Sequence, residues 1–401
     1  MEIVDARDTL DRAVAGPSYI GGKDEDAFDI YVADRELFDS NVYRLPNGTD
    51  VSALIGPSAA KQDHINSPSA GLDSQWVTGR QSIALQLHVD DNRFAQNTNL
   101  DNVSSTDSLV WNWGLGSVLS GQLGADYLRA LASFINTNIY TRNVYQRTEV
   151  FAAARYQLGP RWAVYGGLLN TNFSLAESST KGNDSHQKSG DLGVEFATNV
   201  EDSFALDYRY TDARYPNAIV LNASAFDPDY REDRLSLLMK RALSDKTSID
   251  VSAGYLKRDY ASTAIDSFKG VIWRGSLGWQ PTDKTQLIVS VYRNLQAYLT
   301  DQTNYYRATG ASISPVWTAT EKVSFSFLAS REEQSYIGSS TIAPDVTARR
   351  DTATAEQAAI TYTATRSLSF DATYRHEQRE SNQQLRSYTD ELASVGVRFQ
   401  F

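Results

Sequence analysis

Along most of the chain apolar and polar residues alternate one for one, and the alternation breaks and restarts at short clusters of turn-forming residues. At the end, Val395, Val397, Phe399 and Phe401 take one face while Ser394, Gly396, Arg398 and Gln400 take the other. That two-residue period is the mark of a β-strand with one apolar and one wet side. Upstream, Leu368, Phe370, Ala372 and Tyr374 oppose Ser369, Asp371, Thr373 and Arg375, and Val323, Phe325 and Phe327 oppose Ser324 and Ser326. Val271, Trp273, Leu277 and Trp279 oppose Arg274 and Ser276, and Phe204, Leu206, Tyr208 and Tyr210 oppose Asp207 and Arg209. Leu109, Trp111, Trp113 and Leu115 oppose Asn112 and Gly114, and Ile83, Leu85, Leu87 and Val89 oppose Gln86, His88 and Asp90.

Short turns are legible at Gly159-Pro160-Arg161, Val200-Glu201-Asp202, Ser244-Asp245-Lys246, Pro281-Thr282-Asp283-Lys284, Thr320-Glu321-Lys322 and Thr365-Arg366-Ser367. Each holds residues suited to a tight reversal. Between them lie longer polar connections, so hairpins add one after another as they do around a barrel. The pattern predicts strands at about 26–43, 63–77, 81–96, 103–116, 120–135, 143–158, 161–176, 187–199, 203–216, 230–243, 247–260, 268–281, 285–299, 304–319, 322–337, 349–364, 367–380 and 386–401. Ser67, Pro68 and Gly71 interrupt the second of these. Without it the count is odd and the termini fall on opposite sides, so closure argues for keeping it. The expected fold is a transmembrane antiparallel up-and-down β-barrel of about eighteen strands, with sixteen as the alternative.

A soluble sandwich also alternates. It would need more than a dozen long strands with every polar face in solvent, and open sheets of that size split or curl. The apolar faces here also end in aromatics beside the short turns, at Tyr156, Trp162, Phe204, Trp279, Trp317 and Phe325. Rings at that depth fit an interfacial girdle.

Composition narrows the picture further. The 401 residues carry a net charge of -11 and no cysteine. Acidity argues against nucleic acid as a partner, and the missing thiols exclude disulfides, thiolate metal sites and a cysteine nucleophile. No apolar run reaches the roughly 18 residues of a membrane helix, which leaves a barrel untouched because its strands need only about 9 to 11. Met1-Glu2-Ile3-Val4-Asp5 lacks the basic and apolar regions of an export signal, so the chain reads as a mature form. Residues 1–25 are expected to be a periplasmic N-terminal segment or plug, with a short helix near Ile3 to Val14. Residues 26–401 form the barrel, with 47–65 as a connection able to fold inward.

The closing strand, with Phe399 and Phe401 at its end, resembles the terminal signal of bacterial outer-membrane proteins read by the barrel-assembly machinery. The stretch Phe38-Asp39-Ser40-Asn41-Val42-Tyr43-Arg44-Leu45-Pro46 is similar to the opening of the EpsL-type barrels that accompany exopolysaccharide biosynthesis. Phe38 stands where that family has Tyr and Ser40 where it has an Asp, while Trp113-Gly114-Leu115-Gly116 is compatible with it. The resemblance implies an outer-membrane channel that exports a polysaccharide, docked to a periplasmic polysaccharide-export protein and surrounded by outer-membrane lipid and lipopolysaccharide.

If the apolar face meets lipid, the lumen is lined by Asp90, Asp126, Glu149, Arg155, Tyr165, Glu195, Asp207, Arg209, Arg234, Lys240, Asp250, Arg258, Arg274, Tyr292, Asp371, Arg375 and Arg398. Turned to lipid at midplane, each Arg or Lys would cost about 2–4 kcal/mol. The mixed signs favour a neutral or weakly charged cargo over an anionic polymer, and pairing of these charges across strands is the plainer reading of each one. No cofactor or metal is called for; the Asp/Asn-rich connections Glu177–His186 and Pro216–Asp229 read as solvated loops.

Three other function classes compete. A hydrolase would need nucleophile, base and orienting group together, and only His88, beside Asp90 and Ser82, has candidate partners. His376 falls on the lipid side, and His64 and His186 sit in or near loops. A general or sugar-selective diffusion porin is the stronger rival, and a barrel that merely anchors a periplasmic partner is the third.

Overall fold

The computed structural model describes residues 26–136, 139–199, 202–218, 227–262, 266–300, 303–337, 348–383 and 385–401. The expectations for residues 1–25 and for the centre of the 216–229 connection lie outside that set. The strands are β1 (Ala27–Asp39), β2 (Asp63–Asn66 and Ser69–Thr78), β3 (Gln81–Phe94), β4 (Asn102–Leu115), β5 (Leu119–Leu131) and β6 (Val144–Gln157). They continue as β7 (Trp162–Leu175), β8 (Ser185–Ala197), β9 (Ser203–Arg214), β10 (Tyr230–Ser244), β11 (Thr247–Tyr260) and β12 (Phe268–Thr282). The last six are β13 (Thr285–Thr300), β14 (Thr303–Thr318), β15 (Val323–Ile337), β16 (Arg350–Thr363), β17 (Leu368–Ser381) and β18 (Tyr388–Gln400).

Every strand is antiparallel to its neighbours, and β1 pairs with β18 from Tyr31↔Gln400 to Asp39↔Leu392, closing the sheet into an eighteen-strand barrel. Pro68 splits β2 because it has no N–H to donate to the ladder. The strand is nonetheless one unit. Ala33↔Ser69 and Glu36↔Asn66 hold a single register against β1, and Ser69↔Asp90 and Asn66↔Arg93 hold one against β3.

The alternation read from sequence sorts the two faces. Val395, at 60% exposure, shares its side with exposed Val397 and Phe399, and the same outward side carries Leu237, Val271, Trp279 and Phe327. With no soluble partner layer over them, these residues form the lipid-facing surface of an integral outer-membrane protein. Near the short turns, Trp162 packs on Phe196 at 4.8 Å between ring centroids and Trp317 on Phe325 at 5.4 Å. The turns at Gly79 and Gly116 put those residues at φ +61° and +59°, which glycine adopts without Cβ strain. Both described ends of the chain meet there too: the Phe401 amide donates to the Ile30 carbonyl. The short-turn end is periplasmic and the long connections are extracellular, as in outer-membrane barrels generally.

β1 stops at Asp39, short of the expected 43, because the next residues turn sharply. Arg44 takes φ 56°, a left-handed conformation that costs a non-glycine residue and needs support. Asn41 supplies it, accepting from the Leu45 amide at 2.9 Å and donating to the carbonyls of Leu45 and Thr389. Arg44 pairs with Asp39 and, at 3.0 Å, with Asp390 of β18. Ser40 donates to Asp390 and accepts from the Glu391 amide at 2.7 Å. This segment is a clamp across the closing seam of the barrel.

Candidate functional site: the inner wall and the outer mouth

Residues paired in register point to the same side of a sheet, so the inner face can be followed strand by strand. His88 opposes Thr106, Asp126 opposes Glu149, Arg155 opposes Tyr165, and Lys240 opposes Asp250. All seventeen residues expected to line a lumen fall on the side opposite the exposed apolar rows.

Their surroundings differ along the circumference. From β6 to β11 all but Lys240 and Asp250, near the short turns, are packed and paired. Arg155 forms a two-pronged bond to Glu195 at 2.6 and 2.9 Å. Arg209, 3% exposed, bonds Asp191, and Arg234 lies 3.8 Å from Asp207. Arg258, 1% exposed, binds Glu232 at 2.5 and 2.9 Å and covers the Tyr230 ring at 4.1 Å. Glu149 stands 3.7 Å from Arg147. Phe151, Tyr165 and Leu169 pack between these pairs. Tyr165 lies flat over Gly193, where a Cβ would come within 2.1 Å of its ring. A glycine is required there for the inner ring to bed down.

The rest of the inner wall is more open. Lys240 and Asp250, at the periplasmic ends of β10 and β11, are exposed, as is Arg274 on β12. Arg35, 59% exposed, reaches Asp371 at 4.0 Å, and Arg398 lies 3.6 Å from Asp73 and 3.5 Å over the Tyr31 ring. Tyr292 donates to Glu332, Arg375 to Glu377, and the Ser108 hydroxyl to Asp126 at 2.6 Å. His88 bridges the Tyr31 hydroxyl at 2.7 Å and Asp90 at 3.0 Å, while Ser82 bonds Asn112 instead. The nucleophile–base contact that a hydrolase would need is not made.

At the outer mouth, sequence reasoning singled out the 47–65 connection as able to fold inward but missed the one after β5. After β5 the chain turns inward at Phe134 and Ile135, and the Ile135 carbonyl accepts from Arg379 of β17 at 2.7 Å, a contact across the barrel opening. Arg379, 2% exposed, also bonds Asp351 and the Tyr336 hydroxyl, and Arg349 shares the same Asp351 at 2.5 Å. The connection 40–62 packs beside it. Tyr43, Leu45 and Val51 join Phe94, Leu100 and Phe134 in one apolar cluster, with Tyr43 5.1 Å from Phe134 and 6.0 Å from Tyr140. Asp50 caps the short helix α1 (Val51–Leu54) by accepting from the Ala53 amide at 3.1 Å, and that bond and the one from the Ser52 hydroxyl hold its carboxyl below the usual carboxylate range. The Tyr43 hydroxyl, its ionisation pushed up by burial, donates to Asn97 at 3.0 Å. A regularly spaced tyrosine or arginine at a strand's outer end carries no sign that a loop will fold down onto it.

A protein family described as "Putative beta-barrel porin 2" matches residues 239–401, the second half of the barrel. No curated protein matches. Among solved structures the chain is similar to the outer membrane protein opdK from Pseudomonas aeruginosa, with 10% identity over 94% of this chain and 99% of that one and a TM-score of 0.47. It is also similar to a BenF-like porin from Pseudomonas fluorescens Pf-5, with 9% identity, 94% and 100% coverage and a TM-score of 0.48. Acinetobacter baumannii OccAB3 gives 8%, 93% and 99%, and 0.48. The family match overturns the expectation of a polysaccharide exporter: the matched family is one of porins. The Phe38–Pro46 stretch that carried the exporter resemblance has a different occupation, locking β1 to β18. The chain is an integral, porin-like barrel of the bacterial outer membrane.

Proposed function

We propose that the protein is a diffusion porin for small hydrated solutes, narrowed at its outer mouth by the 40–62 and 132–143 connections. The observation that carries the reading is the Arg379–Ile135 contact, which sets a loop across the opening of an otherwise polar-lined barrel. A barrel of eighteen strands has room for a water path, and the inward-facing, solvent-exposed Lys240, Asp250 and Arg274 mark where that path runs. Acid–base pairing along the remaining wall cancels most of the local field, so neutral solutes of sugar size pass and neither ion sign is strongly preferred. The similarity to EpsL-type openings is read as a shared seam clamp and says nothing of cargo. Phe399 and Phe401, at the lipid-facing end of β18, are proposed as the signal taken by the barrel-assembly machinery. Reconstitution into liposomes tests the reading: swelling in monosaccharides should be fast and should fall steeply with solute size, and a protein that passes no monosaccharide is not a porin.

A further inference from the structure

On the outside of the barrel, at its extracellular rim, β3 to β6 and the connections above them enclose a cavity of about 480 Å³. Six charged side chains line it: Asp91, Arg93, Asp101, Arg129, Arg142 and Glu177. Asp91 and Val103 are opposed in register, as are Ser105 and Arg129, on the face that lower down carries exposed Leu87, Val89, Leu109 and Val150. The cavity therefore opens toward lipid, above the apolar rows that acyl chains cover.

Its charges are not self-contained. Arg93 is shared between Asp91 at 2.9 Å and Asp101 at 3.4 Å. Asp101 also accepts from the Phe94 amide at 2.8 Å. The Glu177 carboxylate is held by the hydroxyls of Thr141, Ser178 and Ser179. Among the described residues Arg142 donates only to a backbone carbonyl, that of Asp101 at 3.2 Å. Arg129 makes no ion pair among the described residues, and its buried Nε has no hydrogen-bond partner. Two guanidinium groups thus face a lipid-side cavity without a carboxylate between them. Arginine left so is costly unless an anion completes it, and a phosphate accepts the planar fork in bidentate fashion.

We infer that this cavity binds the phosphorylated head of an outer-leaflet glycolipid, with Arg129 and Arg142 on the phosphate and Arg93 held alongside by its two carboxylates. The lipid is the source of the phosphate because the cavity opens where head groups meet acyl chains, on the side away from the inner wall.

The test uses the full chain in detergent and three probes: bisphosphorylated lipid A, the same lipid with its phosphates removed, and inorganic phosphate. Binding is read by native mass spectrometry and by the shift of thermal unfolding. The bisphosphorylated lipid should bind at least about tenfold more tightly than the dephosphorylated one, and the double variant Arg129→Gln/Arg142→Gln should lose that difference. Arg331→Gln, an exposed outward arginine on β15 paired to Glu333, should keep it. Equal binding of the two lipids, an unchanged preference in the double variant, or saturation by inorganic phosphate at the same concentration would each overturn the assignment. The wild-type comparison of the two lipids stands even if the double variant does not fold.

Discussion

The inner wall of β6–β11 and that of β12 through the seam to β3 are built from the same residue types in the same alternation, yet the first is packed along most of its height and the second chiefly toward its outer end. On the first, Glu149, Asp191, Arg209, Glu232 and Arg258 are buried, and each arginine among them has its acid within bonding reach. On the second, Arg35 and Arg274 are exposed, and burial of charge is confined to the outer end, at Asp39, Asp63, Arg349, Asp351, Arg379 and Asp390. What separates them is the filling between the charges. Phe151, Tyr165 and Leu169 close the first wall over glycine and alanine, whereas small Ser276, Gly278 and Ser290 leave the periplasmic half of β12 and β13 uncovered below the buried Phe268, Ile272, Leu295 and Tyr305. The same ion pair is therefore a structural tie on one side and a tuning group on the other.

The largest effect that could break this contrast comes from cutting a tie. Glu232→Ala strands Arg258 in a packed layer and should destabilise the folded barrel by about 3–5 kcal/mol, read from urea unfolding in lipid vesicles. Asp73→Ala, which removes the partner of half-exposed Arg398, should cost about 0–1 kcal/mol in the same measurement. Equal losses would show that the two walls are alike. A second pair of substitutions probes the filling itself. Gly193→Ala drives a methyl into the Tyr165 ring and should cost about 1–3 kcal/mol. Gly278→Ala, on the inner face of β12, where a Cβ would meet only the Ser248 hydroxyl at 3.0 Å, should cost less than about 1 kcal/mol.

The smallest effects lie in selectivity. Removing a positive charge from the open wall with Arg274→Gln should move the reversal potential in a salt gradient toward cation preference while leaving unfolding unchanged. The double variant Arg155→Gln/Glu195→Gln, which removes both members of an ion pair and leaves the wall charge unchanged, should move the potential less than Arg274→Gln does.

How much of this the sequence disclosed follows from how local each feature is. Strand alternation is local, so Val395 to Phe401 and the strands above them could be read directly, as could the aromatic rows by the short turns. Keeping β2 despite Pro68 rested on the parity of the count, and its unbroken register bears that out. The Asn41 clamp was visible as a motif but its task was not, since it depends on Thr389 and Asp390, about 350 positions later. The mouth is less legible still. Nothing around Ile135 announces that its carbonyl will meet an arginine 244 positions on, and the exporter reading went wrong by assigning cargo from the clamp.

Solute passage through reconstituted protein, compared before and after Arg379→Ala, tests the account most directly. Wild-type protein should pass monosaccharides with a steep fall toward trisaccharides, and the variant, having lost the anchor of the 132–143 connection, should pass the larger sugars faster while its monosaccharide rate changes little. Rates independent of solute size, or a size limit untouched by Arg379→Ala, would contradict a porin narrowed at its outer mouth.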